Sequence, residues 1–216
     1  MTEYVLTAKN PARAGSFYDR IARYYNLTFK VNGYGRALDQ YFATHPLPLT
    51  PGARILDAGC GTGLLTLAVL RSLNVSASLT AIDLSASSIT TAQKAVAENR
   101  RRRRRVQFAQ SNILSLPFAD DAFDVVVTSG VLEYVPLEEG FRELARVIAP
   151  GGHILNFPIR PSFASSFLEL LFRFKAHSPS AVAENTERHF RVVDHYRFPK
   201  QQVIDWTKSA VLAQKV

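Results

Sequence analysis

The chain has 216 residues, 47% of them hydrophobic and 20% charged, which excludes a disordered or fibrous protein and suits one domain with its own core. Its single cysteine, Cys60, excludes an internal disulfide framework and fits a reducing compartment. The net charge of +8 is largely local, because without the six consecutive arginines Arg100 to Arg105 it falls to +2. Such a block is ordinarily a solvated helix end or loop. Its functional alternative is a docking patch for an anionic membrane surface. No aromatic interleaving and no nucleic-acid motif adjoins the run, so nucleic acid is not an expected partner. No run of about 20 apolar residues is present to span a bilayer. Residues 1–10 lack the apolar centre of a signal peptide, so the expected setting is cytoplasmic.

In chain order, an aromatic-rich helical stretch runs from Phe17 to Tyr25, and a second helix is predicted from Gly35 to Ala43. Pro46, Pro48 and Pro51 then punctuate the entry to a central region. There, short and nearly continuous apolar strands are predicted at Arg54–Ala58, Leu79–Asp83, Phe123–Ser129 and His153–Phe157, with a shorter one at Val106–Ala109. Helical patterns lie between them: Leu64–Leu73, Ser85 (as N-cap) to about Arg102, and Glu138–Val147, which stops before Pro150-Gly151-Gly152. Strands alternating with helices of this length imply right-handed βαβ units, a parallel sheet and a doubly wound, Rossmann-like α/β fold. Beyond the sheet come an apolar stretch from Phe163 to Phe174, a polar loop, and a last helix near Lys200–Ala210.

The first strand ends in Asp57, and Gly59, Gly61 and Gly63 follow at alternate positions before a helix begins. Glycines permit tight turns and close approach of backbone to a ligand. The helix start beyond them presents unpaired N–H groups and a partial positive charge. The dinucleotide fingerprint needs glycines at offsets 0, 2 and 5, and offset 5 from Gly59 is Leu64. A carboxylate two residues before the first glycine would repel a pyrophosphate and attract the ammonium of an amino-acid moiety. The loop therefore favours S-adenosyl-L-methionine over NAD. No GxxxxGK[ST] sequence is present, which excludes a Walker-type phosphate site. Asp83 ends the second strand, where an acid can accept hydrogen bonds from both ribose hydroxyls. The side chain of Asn112 and the backbone N–H of Ile113 are placed to read the adenine edge. Ser129 ends the fourth strand, across the sheet from the glycine loop.

Residues 52–157 resemble the class I methyltransferase core, in the group that includes the ubiquinone/menaquinone-type enzymes. The motifs that carry the resemblance are Ile55-Leu56-Asp57-Ala58-Gly59-Cys60-Gly61-Thr62-Gly63, Ala81-Ile82-Asp83-Leu84-Ser85, Leu116-Pro117-Phe118 with Phe123-Asp124-Val125-Val126, and Glu143-Leu144-Ala145-Arg146-Val147 with Pro150-Gly151-Gly152. Phe17-Tyr18-Asp19-Arg20-Ile21-Ala22-Arg23-Tyr24-Tyr25 is similar to that group's lid segment over the cofactor. The resemblance implies a methyl transfer that leaves S-adenosyl-L-homocysteine. It implies cofactor contacts at Asp57, Gly59, Cys60, Gly61, Gly63, Asp83, Leu84, Asn112, Ile113 and Ser129, with Tyr18 and Tyr24 from the lid. It also implies a division into a helical lid segment, 1–48, and a methyltransferase domain, 49–216, with a substrate-side insertion at 158–200.

Three departures from that pattern shape the expectations, the first being Asn26 after the lid tyrosines, where the family often has Asp. The family usually has Asp where this chain has Asn112. The family also closes its sheet with an antiparallel pair of strands, yet only Val211–Val216 follow the last predicted helix. The sixth strand is therefore expected to be truncated and the seventh missing, leaving an edge that would associate with another subunit. Phe163, Phe167, Leu168, Leu170, Leu171, Phe172 and Phe174 suggest a hydrophobic small-molecule acceptor such as a quinone precursor or lipid. The alternatives are a non-catalytic scaffold on the same fold and an NAD-dependent oxidoreductase. Glu133, Tyr134, Tyr18 and His153 stand near the transfer site by position. None is singled out, so the catalytic residue is unassigned. No His or Cys has metal-ligand spacing, and no metal is expected.

Overall fold

The computed structural model describes residues 33–99, 106–162, 165, 169, 174–199 and 207–216. The elements in order are α1 (Tyr34–Thr44), β1 (Ala53–Ala58), α2 (Leu64–Ser72), β2 (Ala77–Asp83), α3 (Ala86–Glu98), β3 (Val106–Gln110), β4 (Phe123–Ser129), a single 3-10 turn (Leu132–Tyr134), α4 (Leu137–Val147), β5 (Ile148–Phe157), α5 (Pro179–Glu187), β6 (Phe190–Arg197) and β7 (Ser209–Lys215). The seven strands form one sheet in the order β3-β2-β1-β4-β5-β7-β6. The first five are parallel to one another, and β7 pairs antiparallel with both β5 and β6.

The central strands β1 and β4 are apolar on both faces because helices cover both. Ile55, Leu79, Val125 and Val127 face α1, α2 and α3, where they meet Tyr41, Phe42, Leu65, Val69, Ile89 and Ala92. Their neighbours Leu56, Ile82, Val126 and Ile154 point the other way, against Phe141, Leu144 and Ala145 of α4 and Val182 of α5. This two-sided alternation is why the central strands carry so few polar residues. At the start of α3 the Ser85 hydroxyl accepts a hydrogen bond from the Ser88 N–H at 3.1 Å, the capping role its position suggested. Residues α1 supplies, Tyr34, Leu38, Tyr41 and Phe42, are all buried in the first of these two cores.

The expected truncation of the sheet does not occur. The stretch taken for a polar loop contains β6, and the stretch taken for the end of the last helix opens β7 at Ser209. Together they complete the antiparallel closure within one chain, with Phe190 opposite Lys215 and Arg197 opposite Ser209. The edge that was expected to recruit a partner subunit is thus occupied by β7. The Pro150-Gly151-Gly152 sequence also differs from expectation. It lies inside β5, where the register against β4 shifts between Phe123 and Val125.

Candidate functional site

The order of the strands reverses between β1 and β4, and a doubly wound sheet opens its ligand crevice beyond the carboxyl ends of the strands at that point. The registers bring the candidate residues there together. Asp57 lies beside Ala81 of β2 and Val127 of β4, and Asp83 lies beside Gln110 of β3. Asp57, Asp83, Asn112 and Ser129 therefore line up along one end of the sheet.

The glycine loop between β1 and α2 is held from several sides. The N–H groups of Gly59 and Cys60 both donate to the Ile82 carbonyl at 2.8 Å, and the Gly63 N–H donates to the Cys60 carbonyl at 2.9 Å. Gly63 takes φ +90° at the start of α2, and a Cβ there would meet Ala92 of α3 at 3.1 Å. Only glycine combines that backbone with that helix contact. The Gly61 N–H donates to Asp83 Oδ2 at 2.8 Å, and the Ser85 N–H donates to Oδ1 at 2.9 Å. Asp83 thus ties the loop to the end of β2.

Asp57 is fully buried. Its Oδ2 accepts from the Thr66 hydroxyl of α2 at 2.5 Å, and its Oδ1 is a buried atom with no hydrogen-bond partner. Burial pushes its pKa up to about 7, the Thr66 bond opposing and the charge of Asp83 reinforcing the shift. An orphaned, buried carboxylate oxygen beside a glycine loop fits a cationic ligand group well. The Cys60 thiol is also buried, and burial raises its pKa. It packs as a small apolar residue and has no nucleophilic character.

Asn112 turns out to use its side chain locally: Oδ1 accepts from the Leu114 N–H at 3.0 Å. Ile113 is buried in the α4-side core. The backbone of Leu84 is fixed by the Gln110 amide, which donates to its carbonyl at 2.8 Å. Tyr18 and Tyr24 lie outside the described residues, as do all the apolar residues of the 163–174 stretch except Phe174. Phe174 packs against Tyr134, with ring centroids 5.7 Å apart, and against Ile159. Glu133 is buried, and its Oε1 accepts from the Ile159 N–H at 2.5 Å. His153 is four residues before the carboxyl end of β5, about 13 Å from the crevice at ordinary strand rise, and is removed from the reaction by that distance.

Two residues at the site were not singled out from the sequence. The Tyr34 hydroxyl of α1 lies 2.5 Å from Ser129 Oγ. Lys208, only 1% exposed, donates to the same Ser129 Oγ at 3.1 Å and to the Phe157 carbonyl at 3.3 Å. No motif marks either position. The nearest signal is a lone lysine beside small residues at the entry to β7, and only the tertiary pairing carries it to β4. Among the described residues no group of three or more His, Cys, Asp or Glu could hold a metal ion. No helix among them is long and apolar enough to cross a membrane.

The strand order, the switch point and the acid–glycine–acid crevice define a Rossmann-like protein of the class I methyltransferase type. Residues 55–152 match the methyltransferase domain family. The chain is 31% identical to the demethylmenaquinone methyltransferase of Mycolicibacterium paratuberculosis, over 96% of this chain and 85% of that one. It is also 31% identical to the enzyme of the same description from Mycobacterium marinum, over 96% and 84%. The fold superposes on geranyl diphosphate C-methyltransferase from Streptomyces coelicolor, solved with Mg2+, geranyl diphosphate and S-adenosyl-L-homocysteine, with a TM-score of 0.70 and 18% identity over 84% of this chain and 79% of that one. The chain belongs to the S-adenosylmethionine-dependent methyltransferases.

Proposed function

We propose that the chain transfers a methyl group from S-adenosyl-L-methionine to a small hydrophobic acceptor with a quinol-like nucleus, akin to the acceptor named for its mycobacterial relatives. The observation that carries this reading is the pairing of a buried, half-satisfied Asp57 with Asp83 across a three-glycine loop. Asp57 and the loop residues Gly59, Cys60, Gly61 and Gly63 hold the methionine part. Asp83, with Leu84, accepts the ribose hydroxyls. Asn112 offers its remaining carbonyl lone pair, and Ile113 its N–H, to adenine. Ser129 faces the sulfonium side, and Tyr18 and Tyr24 belong to the segment that closes over it.

The bound cofactor supplies an electrophilic methyl on a sulfonium. The chain's residues contribute alignment of the acceptor with that methyl and exclusion of water, and orientation of this kind is worth roughly 7–11 kcal/mol. Of the segment 1–48 expected as a lid, α1 is packed into the sheet core, so the lid role is proposed for the part that carries Tyr18 and Tyr24, and 158–189, shortened by the presence of β6, for the acceptor side. The complete sheet removes one reason for considering a non-catalytic scaffold. Calorimetry with S-adenosylhomocysteine and with NADH tests the cofactor: tight binding of the first and none of the second is expected, and the reverse would overturn the assignment. Transfer of labelled methyl to a demethylated 1,4-naphthoquinol tests the acceptor.

Asp57 makes the affinity pH-dependent, and the sign follows from its raised pKa. The free protein keeps the proton on Asp57 up to about pH 7, whereas the unfolded chain releases it near the ordinary value of 3.8. Ionising this buried group alone therefore costs stability as pH rises through that window. The ligand's ammonium favours the carboxylate, so binding below pH 7 must expel a proton. The affinity for S-adenosylhomocysteine is expected to fall by up to about tenfold per pH unit between 7 and 5. Asp57→Asn should flatten that slope. A wild-type affinity independent of pH over this range rules out the pairing.

The arginine run joins α3 to β3, and its described flanks, Asn99 and Val106, lie at the amino end of the sheet. At seven residues, β2 separates that end from the crevice by about 20 Å. The run is proposed as a tether to anionic lipid that acts apart from the crevice. Replacing Arg100 to Arg105 with Ser should abolish co-sedimentation with phosphatidylglycerol vesicles and leave S-adenosylhomocysteine affinity within about threefold. Unchanged co-sedimentation removes the tether.

A further inference from the structure

Lys208, Ser129 and Tyr34 form a buried polar chain where β4, β5, β7 and α1 meet, beside the sulfonium side of the crevice. We propose that Lys208 is the positioning residue that takes up, through Ser129, the proton a hydroxyl-bearing acceptor gives up as it is methylated. The proposal rests on the methyltransfer reading above and deepens it by requiring an ionisable hydroxyl on the acceptor.

The geometry supplies a relay. Ser129 is partly exposed at the end of β4, while Lys208 behind it is almost fully buried. Ser129 Oγ is 3.1 Å from Lys208 Nζ and 2.5 Å from the Tyr34 hydroxyl. The Phe157 carbonyl holds Nζ from the β5 side, and Nζ lies 5.7 Å from the centre of the Tyr34 ring. Among the described residues, the charges that act on this chain include Glu133, which faces both Lys208 and Tyr34, and Asp57, which acts on Tyr34. Both direct hydrogen-bond acceptors of Lys208 are neutral oxygens. A lysine placed so is an expensive way to fill space, since burying an ammonium costs several kcal/mol unless it is well paired. Burial lowers its pKa to about 8, Glu133 pulling the other way, so a useful fraction is neutral and able to accept a proton near neutral pH. The Tyr34 hydroxyl, whose pKa is raised by burial, stays protonated and orients Ser129.

The step balances as follows. The acceptor O–H breaks and its proton goes to Ser129 Oγ, while the Ser129 hydroxyl proton passes to the neutral amine of Lys208, which becomes an ammonium. The electron pair left on the acceptor, on oxygen or on the carbon conjugated with it, forms the new bond to the methyl. The carbon–sulfur bond breaks and sulfur keeps its pair. One positive charge enters on the sulfonium and one leaves on Lys208.

The test uses Lys208→Met and Ser129→Ala beside the wild-type chain, with a demethylated 1,4-naphthoquinol and its O-methylated analogue as acceptors. Wild type should show kcat rising with pH through an acidic limb near 8. Lys208→Met should bind S-adenosylhomocysteine within threefold of wild type, lose 10²- to 10⁴-fold in kcat, and lose the limb. Ser129→Ala should lose kcat comparably. Lys208→Ala should regain part of its rate with added methylamine, which a purely structural lysine would not allow. Kcat within fivefold of wild type in Lys208→Met or Ser129→Ala overturns the relay. Where Lys208→Met does not fold, the wild-type profile and Ser129→Ala decide: a profile flat from pH 6.5 to 9 overturns it. Equal turnover of the O-methylated analogue also overturns it. Failure of wild type to bind S-adenosylhomocysteine would instead refute the cofactor reading on which the proposal stands.

Discussion

Asp83→Ala is expected to weaken S-adenosylhomocysteine binding by about 10²- to 10⁴-fold, because hydrogen bonds to a charged group contribute roughly 1.5–3 kcal/mol each and two ribose hydroxyls would lose their acceptor. The loss has a second source within the protein. Asp83 accepts from the Gly61 N–H and the Ser85 N–H, so its removal frees the glycine loop from β2. The fold should survive, since the carboxylate is partly exposed and water can replace it at both N–H groups. Asp83→Asn separates the two contributions: one amide oxygen can still accept from the loop, but the charge is gone. Calorimetry on both variants, with circular dichroism to confirm folding, gives the answer. Affinity within threefold of wild type in Asp83→Ala sinks the ribose assignment.

Gly59→Ala is expected to be the most damaging single substitution in the loop. Gly59 has φ +80°, and a Cβ there would lie 2.1 Å from Val131 Cγ2 and 2.9 Å from Cγ1. The left-handed backbone costs an L-residue roughly 1–2 kcal/mol, and overpacking typically costs 1–3 kcal/mol more. A loss of about 2–5 kcal/mol is a large part of the stability of an ordinary domain. The Gly59→Ala, Val131→Ala pair should recover the packing part and leave the backbone part. Thermal melts of the single and double variants test this, and an unchanged Tm in Gly59→Ala would show that the loop does not hold its observed shape. Cofactor affinity should fall with stability in the single variant, since Val131 stands two residues after Ser129 at the end of β4.

The central parallel strands were legible because burial on both faces writes itself as apolar runs: Phe123–Ser129 was bounded to the residue, and β1 and β2 within two, while the edge strand β3, which has no buried residue, showed only as a shorter run and β5 was found only over its second half. The glycine loop was legible because close backbone approach and positive φ exclude other residue types, and the two acids because Asp83 ends β2 and Asp57 is one residue from the end of β1. The last two strands were not. In β6, Val192 and Val193 are 39% and 53% exposed, Arg191, Asp194, His195 and Arg197 surround them, and only Phe190 is buried, so this edge strand shows no apolar alternation. In β7, Ser209-Ala210-Val211-Leu212-Ala213 has the small and straight-chain residues of a helix. Its strand state comes from hydrogen bonding to β5 on one side and β6 on the other.

The same pairing decides the polar chain at the end of β4. By itself the sequence determined the parallel sheet, the glycine loop and the acids at Asp57 and Asp83, because each follows from local backbone requirements and local burial. Only the tertiary structure completed the sheet with β7 and brought Lys208 and Tyr34 to Ser129. Those contacts span 79 and 95 residues of chain, and no local pattern encodes a contact whose energy is released only when the distant partner is already in place.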